Sequence, residues 1–249
     1  MPMKAILLAG GLGSRLAPFT DYTQKTLLPI YKHPVIDYAL ATIRRAGIKD
    51  ITIVANRFIG QIASHVGQGL PGECIHYVVE EEAKGVANAL SLARPYNEDT
   101  RLMVYFSDNI TTVEFEDEVA RFVDAEEPPG CVLLGIEVND ARAFGVAVFD
   151  ENQKLVGLVE KPEEPPSNTA IGGIYLFDEH FWHRFDAAVN AHGPMFSITD
   201  INRMYVEQGR ASLLAIDAAA WMDCGTPESL LKASIAAQKG VLNPHVNPD

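Results

Sequence analysis

Residues 4–29, KAILLAGGLGSRLAPFTDYTQKTLLP, decide the fold because they join an apolar strand to a glycine-rich loop. The apolar run from residue 4 to Ala9 has the length of a buried strand. Gly10, Gly11 and Gly13 follow it directly, and without a Cβ their backbone amides can approach an anion closely. The stretch therefore predicts a buried strand followed by a loop that holds phosphate groups.

Two cations strengthen this prediction, because Arg15 and Lys25 place positive charge beside the loop amides. Two familiar phosphate loops are excluded by spacing. In the dinucleotide-binding pattern G-x-G-x-x-G counted from Gly11, the third glycine would fall on Leu16, and the Walker pattern lacks its Gly-Lys-Ser/Thr ending. The loop is therefore a phosphate site of another kind.

The composition limits the possible partners of the chain. A formal net charge of −13 disfavours binding to nucleic acid or to an anionic membrane, since both need a basic surface.

No apolar run reaches the roughly 18 residues of a membrane span, and the first strand begins too near residue 1 to leave room for a signal peptide. Cys74, Cys131 and Cys224 have no CxxC spacing and are expected to be reduced. We expect a cytoplasmic protein.

Apolar runs alternate with helical stretches in the first half of the chain, which predicts an α/β fold with a mostly parallel sheet. The predicted strands there are 4–9, 51–55, 75–79 and 102–106, and the predicted helices are 34–46, 59–66 and 85–93. The second half favours antiparallel strands joined by short connections. These strands are 132–138, 144–149, 155–160 and 170–177, and helices follow at 199–208 and 227–238. The residues after Gly240 are expected to be poorly ordered.

The glycine loop and the residues after it resemble the signature of the sugar nucleotidyltransferases, or nucleotide-sugar pyrophosphorylases. The matching residues are Gly10-Gly11-Leu12-Gly13-Ser14-Arg15-Leu16, Pro18, Thr20, Lys25 and Leu28-Pro29. The resemblance implies a Rossmann-like, three-layer α/β/α nucleotidyltransferase fold, whose mixed, mostly parallel sheet carries an antiparallel sugar-binding subregion. It implies one domain over residues 1–249, with a nucleotide-binding half at 3–130, a sugar-phosphate-binding half at 131–238 and a tail at 240–249.

The reaction of this family joins a nucleoside triphosphate to a sugar 1-phosphate and releases pyrophosphate. A phosphate monoester is largely dianionic at neutral pH, since its second pKa is about 6, so no side-chain nucleophile or general base is required. What the site must supply is alignment of two anions and neutralisation of charge on the leaving group. The resemblance assigns this catalytic work to Arg15 and the loop amides on the pyrophosphate side, and to Lys25 and Lys161 at the α-phosphate and the sugar phosphate.

The resemblance also implies a magnesium site. Asp108 follows a predicted buried strand within Ser107-Asp108-Asn109, and Asp223 lies in Trp221-Met222-Asp223-Cys224-Gly225-Thr226, both of which are similar to family segments that hold the metal. Few protein oxygen ligands together with substrate phosphates suit Mg²⁺. We therefore expect Asp108 and Asp223 to meet around one Mg²⁺ ion.

Contacts to the two substrates follow from the same resemblance. The nucleotide contacts are expected at Ala9, Gly10, Gly11, Gly13, Ser14, Glu80 and Gly85. The sugar contacts are expected at Asn109, Gly145, Glu160, Lys161 and Ser197. Glu160 and Lys161 belong to a Glu-Lys-Pro element of the family, in which the lysine contacts the sugar phosphate and the glutamate a sugar hydroxyl.

The chain is most similar to the short glucose-1-phosphate thymidylyltransferases, which implies dTTP and glucose 1-phosphate as substrates. Two residues depart from that pattern: Glu80 stands where a glutamine is expected, and Ser197 stands where a glutamate is expected. A carboxylate can accept from both N1 and N2 of guanine, whereas an amide matches the donor and acceptors of thymine. A guanylyltransferase acting on mannose 1-phosphate, or on another sugar or cyclitol phosphate, stays open as an alternative.

Two other classes of protein are alternatives to a nucleotidyltransferase. A non-catalytic subunit that senses nucleotide-sugars would keep the fold without turnover, but the joint presence of Arg15, Lys25, Asp108 and Asp223 argues against it. A Rossmann oxidoreductase is disfavoured by the missing third glycine. The expected partners are the two small-molecule substrates, and the chain could form a homo-oligomer.

Overall fold

The structure is a computed structural model and describes residues 2–125 and 129–245. Its strands are β1 (Met3–Ala9), β2 (Pro29–Ile30), β3 (His33–Pro34), β4 (Asp50–Ala55), β5 (Cys74–Val79), β6 (Arg101–Phe106), β7 (Asn109–Thr111), β8 (Cys131–Glu137), β9 (Gly145–Phe149), β10 (Leu155–Glu160), β11 (Thr169–Phe177), β12 (Ala211–Ile216) and β13 (Trp221–Asp223). Its helices are α1 (Val35–Arg45), α2 (Ile59–Val66), α3 (Val86–Ala93), α4 (Glu116–Asp124), α5 (Phe181–His192), α6 (Ile198–Glu207) and α7 (Pro227–Gln238).

The central sheet is mixed, with strand order β10-β9-β11-β6-β1-β4-β5, and β8 and β12 extend it from β11. β1 pairs in parallel with β4 and β6, and β4 pairs in parallel with β5. β11 runs antiparallel to β6, β8 and β9, so it joins the two halves of the sheet. The parallel strands β1, β4, β5 and β6 therefore come from the first half of the chain, whereas the second half is mostly antiparallel, apart from the parallel pair of β8 with β12.

Helices cover both faces of this sheet. The side chains of each central strand point alternately into two apolar cores, one on each face. In β1, Ile6 and Leu8 point into a core shared with α3, α5 and α6. Ala5, Leu7 and Ala9 point into the opposite core, shared with α1, α2 and α4. Burial on both faces explains why β1 is continuously apolar from Ala5 to Ala9. The result is a Rossmann-like, three-layer α/β/α arrangement.

The parallel strands end at one edge of the sheet, and the loops that follow them carry the candidate site residues. β1 runs into the glycine loop, β5 is followed by Glu80, and β6 is followed by Asp108. A short antiparallel pair, β7 with β13, lies next to this edge and pairs Asn109 with Asp223. Ligand crevices in open α/β sheets lie at the carboxyl ends of the strands.

Several elements had no clear sequence signal. These are the two-residue pair β2–β3, helices α4 and α5, and strand β12, which is parallel to β8 inside the otherwise antiparallel half. The first turn of α4 is strongly acidic, and β12 alternates between half-buried and exposed residues, so neither presents a long apolar run.

The expectation of a poorly ordered tail is wrong for residues 241–245. Leu242 is 5% exposed and packs in a third apolar core with Ile30, Tyr38 and Ala233. Arg45 donates to the carbonyl oxygens of Asn243 and His245, at 3.2 and 3.3 Å. One buried leucine and two backbone contacts hold this segment on α1. The remainder of the expected tail, residues 246–249, lies outside the described residues.

Candidate functional site

Two clefts meet at the carboxyl edge of the parallel strands. The smaller cleft, of about 180 Å³, lies between the glycine loop, Glu80 and the start of α3. The larger cleft, of about 320 Å³, lies between the C-terminal ends of β6 and β10 and the start of α6. Both are lined by Val86, Phe106 and Asp108, so the two clefts join at Asp108. This shape suits two ligands that react with each other at a shared boundary.

The glycine loop bends tightly over the side chain of Lys25. Gly13 has a φ of +64°, and the Thr20 hydroxyl donates to its carbonyl oxygen at 2.9 Å. A Cβ at Gly13 would lie 2.8 Å from Thr20 Cγ2, and one at Gly11 would lie 3.1 Å from Lys25 Cε. Glycine is required here because backbone and side chain approach so closely. Ser14 and Arg15 follow on the exposed side of the loop.

Gln24 is a supporting residue that the motif analysis missed. Its side chain is 1% exposed, and its amide group donates to the carbonyl oxygen of Ala9, the last residue of β1. Its side-chain oxygen accepts from the backbone of Thr26 at 3.4 Å. Gln24 therefore connects the end of β1 to the turn that carries Lys25. The one sequence signal for this role was its position directly before Lys25.

Four charged side chains converge where the clefts meet. Lys25 Nζ contacts Asp108 Oδ2, and both side chains are largely buried. A Cβ at Gly225 would lie 2.5 Å from Arg15 Nη2 and 2.9 Å from Asp223 Oδ1, which places the guanidinium and the second carboxylate beside each other. The structure thus brings together the two cations and the two acids that the sequence analysis had selected from distant parts of the chain.

Asp223 carries the clearest sign of a cation-binding site. Its Oδ1 is buried and has no hydrogen-bond partner in residues 2–125 and 129–245. Burial, and then repulsion by Asp108, raises the pKa of the Asp223 carboxyl, while Lys25 and Arg15 act in the opposite direction. A buried carboxylate oxygen without a donor is unfavourable unless a cation faces it. Asp108 and Asp223 therefore fit a site for a hard divalent cation.

The side chain of Asn109 contacts Asp108, the first acid of this pair. Its side-chain oxygen accepts from the backbone amide of Gly173 at 2.9 Å and from Trp221 Nε1 at 2.8 Å. Its side-chain nitrogen donates to Asp108 Oδ1 at 3.0 Å. A Cβ at Gly173 would lie 2.7 Å from that nitrogen, so glycine leaves room for the amide. Asn109 borders the larger cleft and also orients Asp108.

Glu80 points into the smaller cleft and is 3% exposed. Its Oε1 accepts from Asn88 Nδ2 at 2.9 Å and from the backbone amide of Lys84 at 3.3 Å. Its Oε2 faces the glycine loop, since a Cβ at Gly10 would lie 2.5 Å from it. The adjacent Gly85 has a φ of +95°, which permits the turn into α3. Glu80 is thus a fixed, oriented acceptor, and Asn88, which orients it, had no sequence signal.

The larger cleft presents a second ionic pair. Glu160 ends β10, and its Oε1 lies 3.2 Å from Lys161 Nζ. Its Oε2 accepts from the Thr199 hydroxyl at 2.5 Å. Lys161 has a φ of +44°, an unusual backbone conformation for a residue with a Cβ, and its side chain is largely exposed. A Cβ at Gly145 would lie 3.0 Å from Thr199 Oγ1, so glycine keeps this corner open.

Ser197 borders the larger cleft but is engaged in helix capping. It is the N-cap of α6; its backbone amide donates to Asp200 Oδ2 at 2.9 Å, and its hydroxyl lies 3.2 Å from the same oxygen. This reciprocal arrangement is a capping box, which stabilises the helix start. Asp200 is part of the cap, whereas Thr199 contacts Glu160.

This chain is similar to known proteins over most of its length. A family model described as nucleotidyl transferase matches residues 4–240. A glucose-1-phosphate thymidylyltransferase of Xanthomonas campestris pv. campestris (strain B100) is 36% identical over 234 residues, 93% of this chain and 79% of the relative. A glucose-1-phosphate thymidylyltransferase of Neisseria gonorrhoeae is 32% identical over 249 residues, 98% of this chain and 86% of the relative.

Solved structures agree with the fold. A Bacillus anthracis protein in complex with sucrose has a TM-score of 0.86 at 35% identity and covers 95% of each chain. A UDP-glucose pyrophosphorylase complexed with UDP-glucose has a TM-score of 0.83 at 21% identity, covering 96% of this chain and 100% of that one, and supports the fold alone. Among the described residues, no helix combines the length and the apolar character needed to cross a membrane.

Proposed function

The chain belongs to the nucleotidyl transferase family, and we propose that it transfers a nucleotidyl group from dTTP to glucose 1-phosphate, giving a nucleotide-sugar and pyrophosphate. The observation that carries the proposal is the junction of the two clefts at Asp108, where Lys25, Arg15 and Asp223 also converge. Relatives named glucose-1-phosphate thymidylyltransferase support this choice of substrates. We place the reaction in the cytoplasm.

In this proposal the smaller cleft binds the nucleotide. The amides of the glycine loop and Arg15 hold the β- and γ-phosphates, which leave as pyrophosphate. Lys25 lies between the loop and Asp108, where it would neutralise the α-phosphate as the new bond forms. Fixed cations aimed at developing charge supply much of the rate in such reactions.

The larger cleft binds the sugar 1-phosphate. Lys161 reaches its phosphate, and Glu160, oriented by Thr199, accepts from a sugar hydroxyl. The sugar phosphate is largely a dianion at neutral pH, so its oxygen attacks the α-phosphorus directly and no general base is needed. The contribution of the protein is to bring two anions into line against their repulsion.

Asp108 and Asp223 are the residues that would hold Mg²⁺. Their fit rests on the buried Asp223 Oδ1, which lacks a hydrogen-bond partner among the described residues and lies close to Asp108. When bound, Mg²⁺ would neutralise charge on the phosphates that face the acid pair. The contact between Lys25 and Asp108 holds one carboxylate in place, and Asn109 holds it from the other side.

A guanylyltransferase is the second candidate, and Glu80 is the observation that favours it. Its Oε2 is fixed toward the smaller cleft, and a carboxylate there can accept hydrogen bonds but cannot donate one. Guanine presents two donors on one edge, at N1 and N2, whereas thymine presents one donor between two acceptors. A good bidentate base contact is worth roughly 1–3 kcal/mol, by analogy with base readout in DNA grooves.

Pyrophosphate release, measured with Mg²⁺, tests these alternatives on a grid of dTTP, UTP, GTP, CTP and ATP against the 1-phosphates of glucose, mannose and galactose. We expect the highest kcat/KM with dTTP and glucose 1-phosphate. Turnover with GTP alone would replace that assignment with the guanylyltransferase. If no pair on the grid reacts, the proposed reaction is wrong, and a different sugar or cyclitol phosphate or a sensing role would replace it.

A further inference from the structure

A second cluster of ligating side chains lies at the opposite end of the parallel strands. Asp50 is the first residue of β4 and Cys74 the first residue of β5, and the parallel register pairs them directly. His76 lies two residues after Cys74 and therefore projects from the same face of β5. The topology thus collects a carboxylate, a thiol and an imidazole at one corner of the sheet, where β5 is the edge strand.

The two spacings that involve His76 match those of a tetrahedral metal site, and the third pair of ligand atoms lies within 4.8 Å. Cys74 Sγ lies 3.3 Å from His76 Nε2, and that nitrogen lies 3.5 Å from Asp50 Oδ1. The three ligating atoms all lie within 4.8 Å of one another. Bonds of about 2.3 Å to sulfur and about 2.0–2.2 Å to nitrogen and oxygen, at tetrahedral angles, set ligand atoms about 3.3–3.6 Å apart.

Asp50 provides an independent reason to expect a cation. Its Oδ2 lies 2.9 Å from Lys4 Nζ, but its Oδ1, which faces His76, is buried and has no hydrogen-bond partner in the part of the chain that the structure describes. The His76 ring lies against the Tyr96 ring, with centroids 4.6 Å apart, which restrains the imidazole. Cys74 is exposed, so an ion can reach the cluster from solvent.

We propose that Asp50, Cys74 and His76 form a zinc site, with its fourth position open to water. A set of one sulfur, one nitrogen and one oxygen ligand suits Zn²⁺ and disfavours Mg²⁺, which prefers oxygen ligands alone. The site is separate from the acid pair at Asp108, because it lies at the opposite end of the parallel strands, and β4 alone is about 17 Å long. Bound zinc would tie the edge strand to β4 and stabilise that corner of the sheet.

Cobalt substitution tests the site directly, using reduced full-length protein without a histidine tag. Tetrahedral Co²⁺ bound by a thiolate gives charge-transfer absorption in the near ultraviolet and d–d bands in the visible range. We expect one thiolate-bound Co²⁺ per chain, with both signals, displaced by Zn²⁺ and not by Mg²⁺. Zn²⁺ alone should also raise the melting temperature, since a ligand at 100 times its dissociation constant adds about 2.7 kcal/mol of stability.

Matched variants decide whether the ion sits in this cluster. C74S should remove the charge-transfer band, and D50N and H76A should each weaken binding by at least about tenfold, a loss that even outer-shell changes can cause. H183A is the control, because His183 is an exposed histidine on α5. K4M should strengthen binding, since it removes a positive charge 2.9 Å from Asp50.

The proposal is overturned if the wild-type protein gives no thiolate-to-cobalt band. It is also overturned if C74S keeps the band, or if D50N and H76A bind Co²⁺ as tightly as H183A does. None of these outcomes depends on nucleotidyl transfer, which is measured separately with Mg²⁺.

Discussion

At the scale of single residues, Glu80 is the side chain that we expect to influence which base the smaller cleft accepts. Its carboxylate is buried, and Asn88 and the backbone of Lys84 occupy one of its oxygens. The other oxygen is left to face a ligand near Gly10. Glu80 is therefore oriented before a nucleotide binds, and its lack of a donor limits which base edges it can match.

We expect E80Q to raise the ratio of kcat/KM for dTTP over GTP by about tenfold, within the range of a bidentate base contact. The glutamine can still accept from Asn88 through its oxygen, and its amide nitrogen would supply the missing donor. E82Q is the control, because Glu82 is exposed and pairs with Lys84. Steady-state kinetics with both nucleotides measure the ratio, and an unchanged ratio would show that Glu80 does not read the base.

The position of Asp223 suits a cation, but burying its carboxylate beside Asp108 lowers the stability of the metal-free fold. Burial and the neighbouring Asp108 raise its pKa, so its ionised form destabilises the metal-free protein at neutral pH. We expect D223N to raise the metal-free melting temperature, to abolish the further rise caused by Mg²⁺ with nucleotide, and to lower kcat by about 10²-fold or more.

The pH dependence gives the sign of this effect. Because the folded pKa lies above the unfolded one, the penalty is absent below the unfolded pKa and grows as the pH rises through the folded pKa. The stability gain of D223N should therefore be largest at neutral pH and vanish in acid. D217N is the control, since Asp217 is exposed; equal pH profiles for both variants would contradict the prediction.

Lys25 is the cation closest to the acid pair. We expect K25M to lower kcat by about 10²- to 10³-fold, the usual loss of a fixed electrostatic contact in a transition state. K32M is the control, because Lys32 is exposed and distant from the clefts. A K25M enzyme with wild-type kcat in single-turnover measurements would remove Lys25 from the proposed mechanism.

At the scale of an element, the glycine loop after β1 combines a positive φ with close packing. Gly13 and Gly47 have similar φ values, +64° and +77°, but only Gly13 is crowded, by Thr20 and Lys25. Nothing lies within 4 Å of a Cβ placed at Gly47. The two positions therefore separate the effect of backbone strain from the effect of contact with the site.

We expect G13A and G47A each to lose about 1–2 kcal/mol from the left-handed backbone conformation. G13A should lose more, and its kcat/KM should fall as well, because its new methyl group would displace Lys25 or Thr20. Chemical denaturation and steady-state kinetics on both variants check this. Equal kinetics in the two variants would mean that the loop tolerates a side chain at Gly13.

At the scale of the whole molecule, the described C-terminal segment is part of the folded structure. Leu242 joins α7 to α1 and β2 in the third apolar core, next to Cys224. Cys224 follows Asp223 directly, so this core also supports the strand that presents the second acid. Removing the leucine should affect stability throughout this region.

We expect L242A to lower the free energy of unfolding by about 2–4 kcal/mol, the usual effect of truncating a buried leucine. V241A should change it by less than about 0.5 kcal/mol, since Val241 is 53% exposed. Urea denaturation of both variants measures the difference. A loss in L242A no larger than in V241A would show that the segment does not pack in solution.

Local pattern was enough to predict most of the fold. The strands and helices with clear apolar periodicity were predicted to within one or two residues, as for β1, β10 and α7. Helix α4, strand β12 and the packing of Leu242 were missed, because each depends on burial against elements far away in the chain. Short or half-exposed segments carry little signal of their own.

By itself, the sequence indicated which residues are the candidates for the proposed chemistry. Loop glycines, isolated cations and acids after strands are local patterns with direct physical meaning. Only the tertiary structure decided how these residues are held: Asn109 and Lys25 on Asp108, Asn88 on Glu80, and Thr199 on Glu160. It also decided that Asp50 meets Cys74 and His76. Such contacts join separate elements, and their geometry exists only once the sheet and its helices have packed.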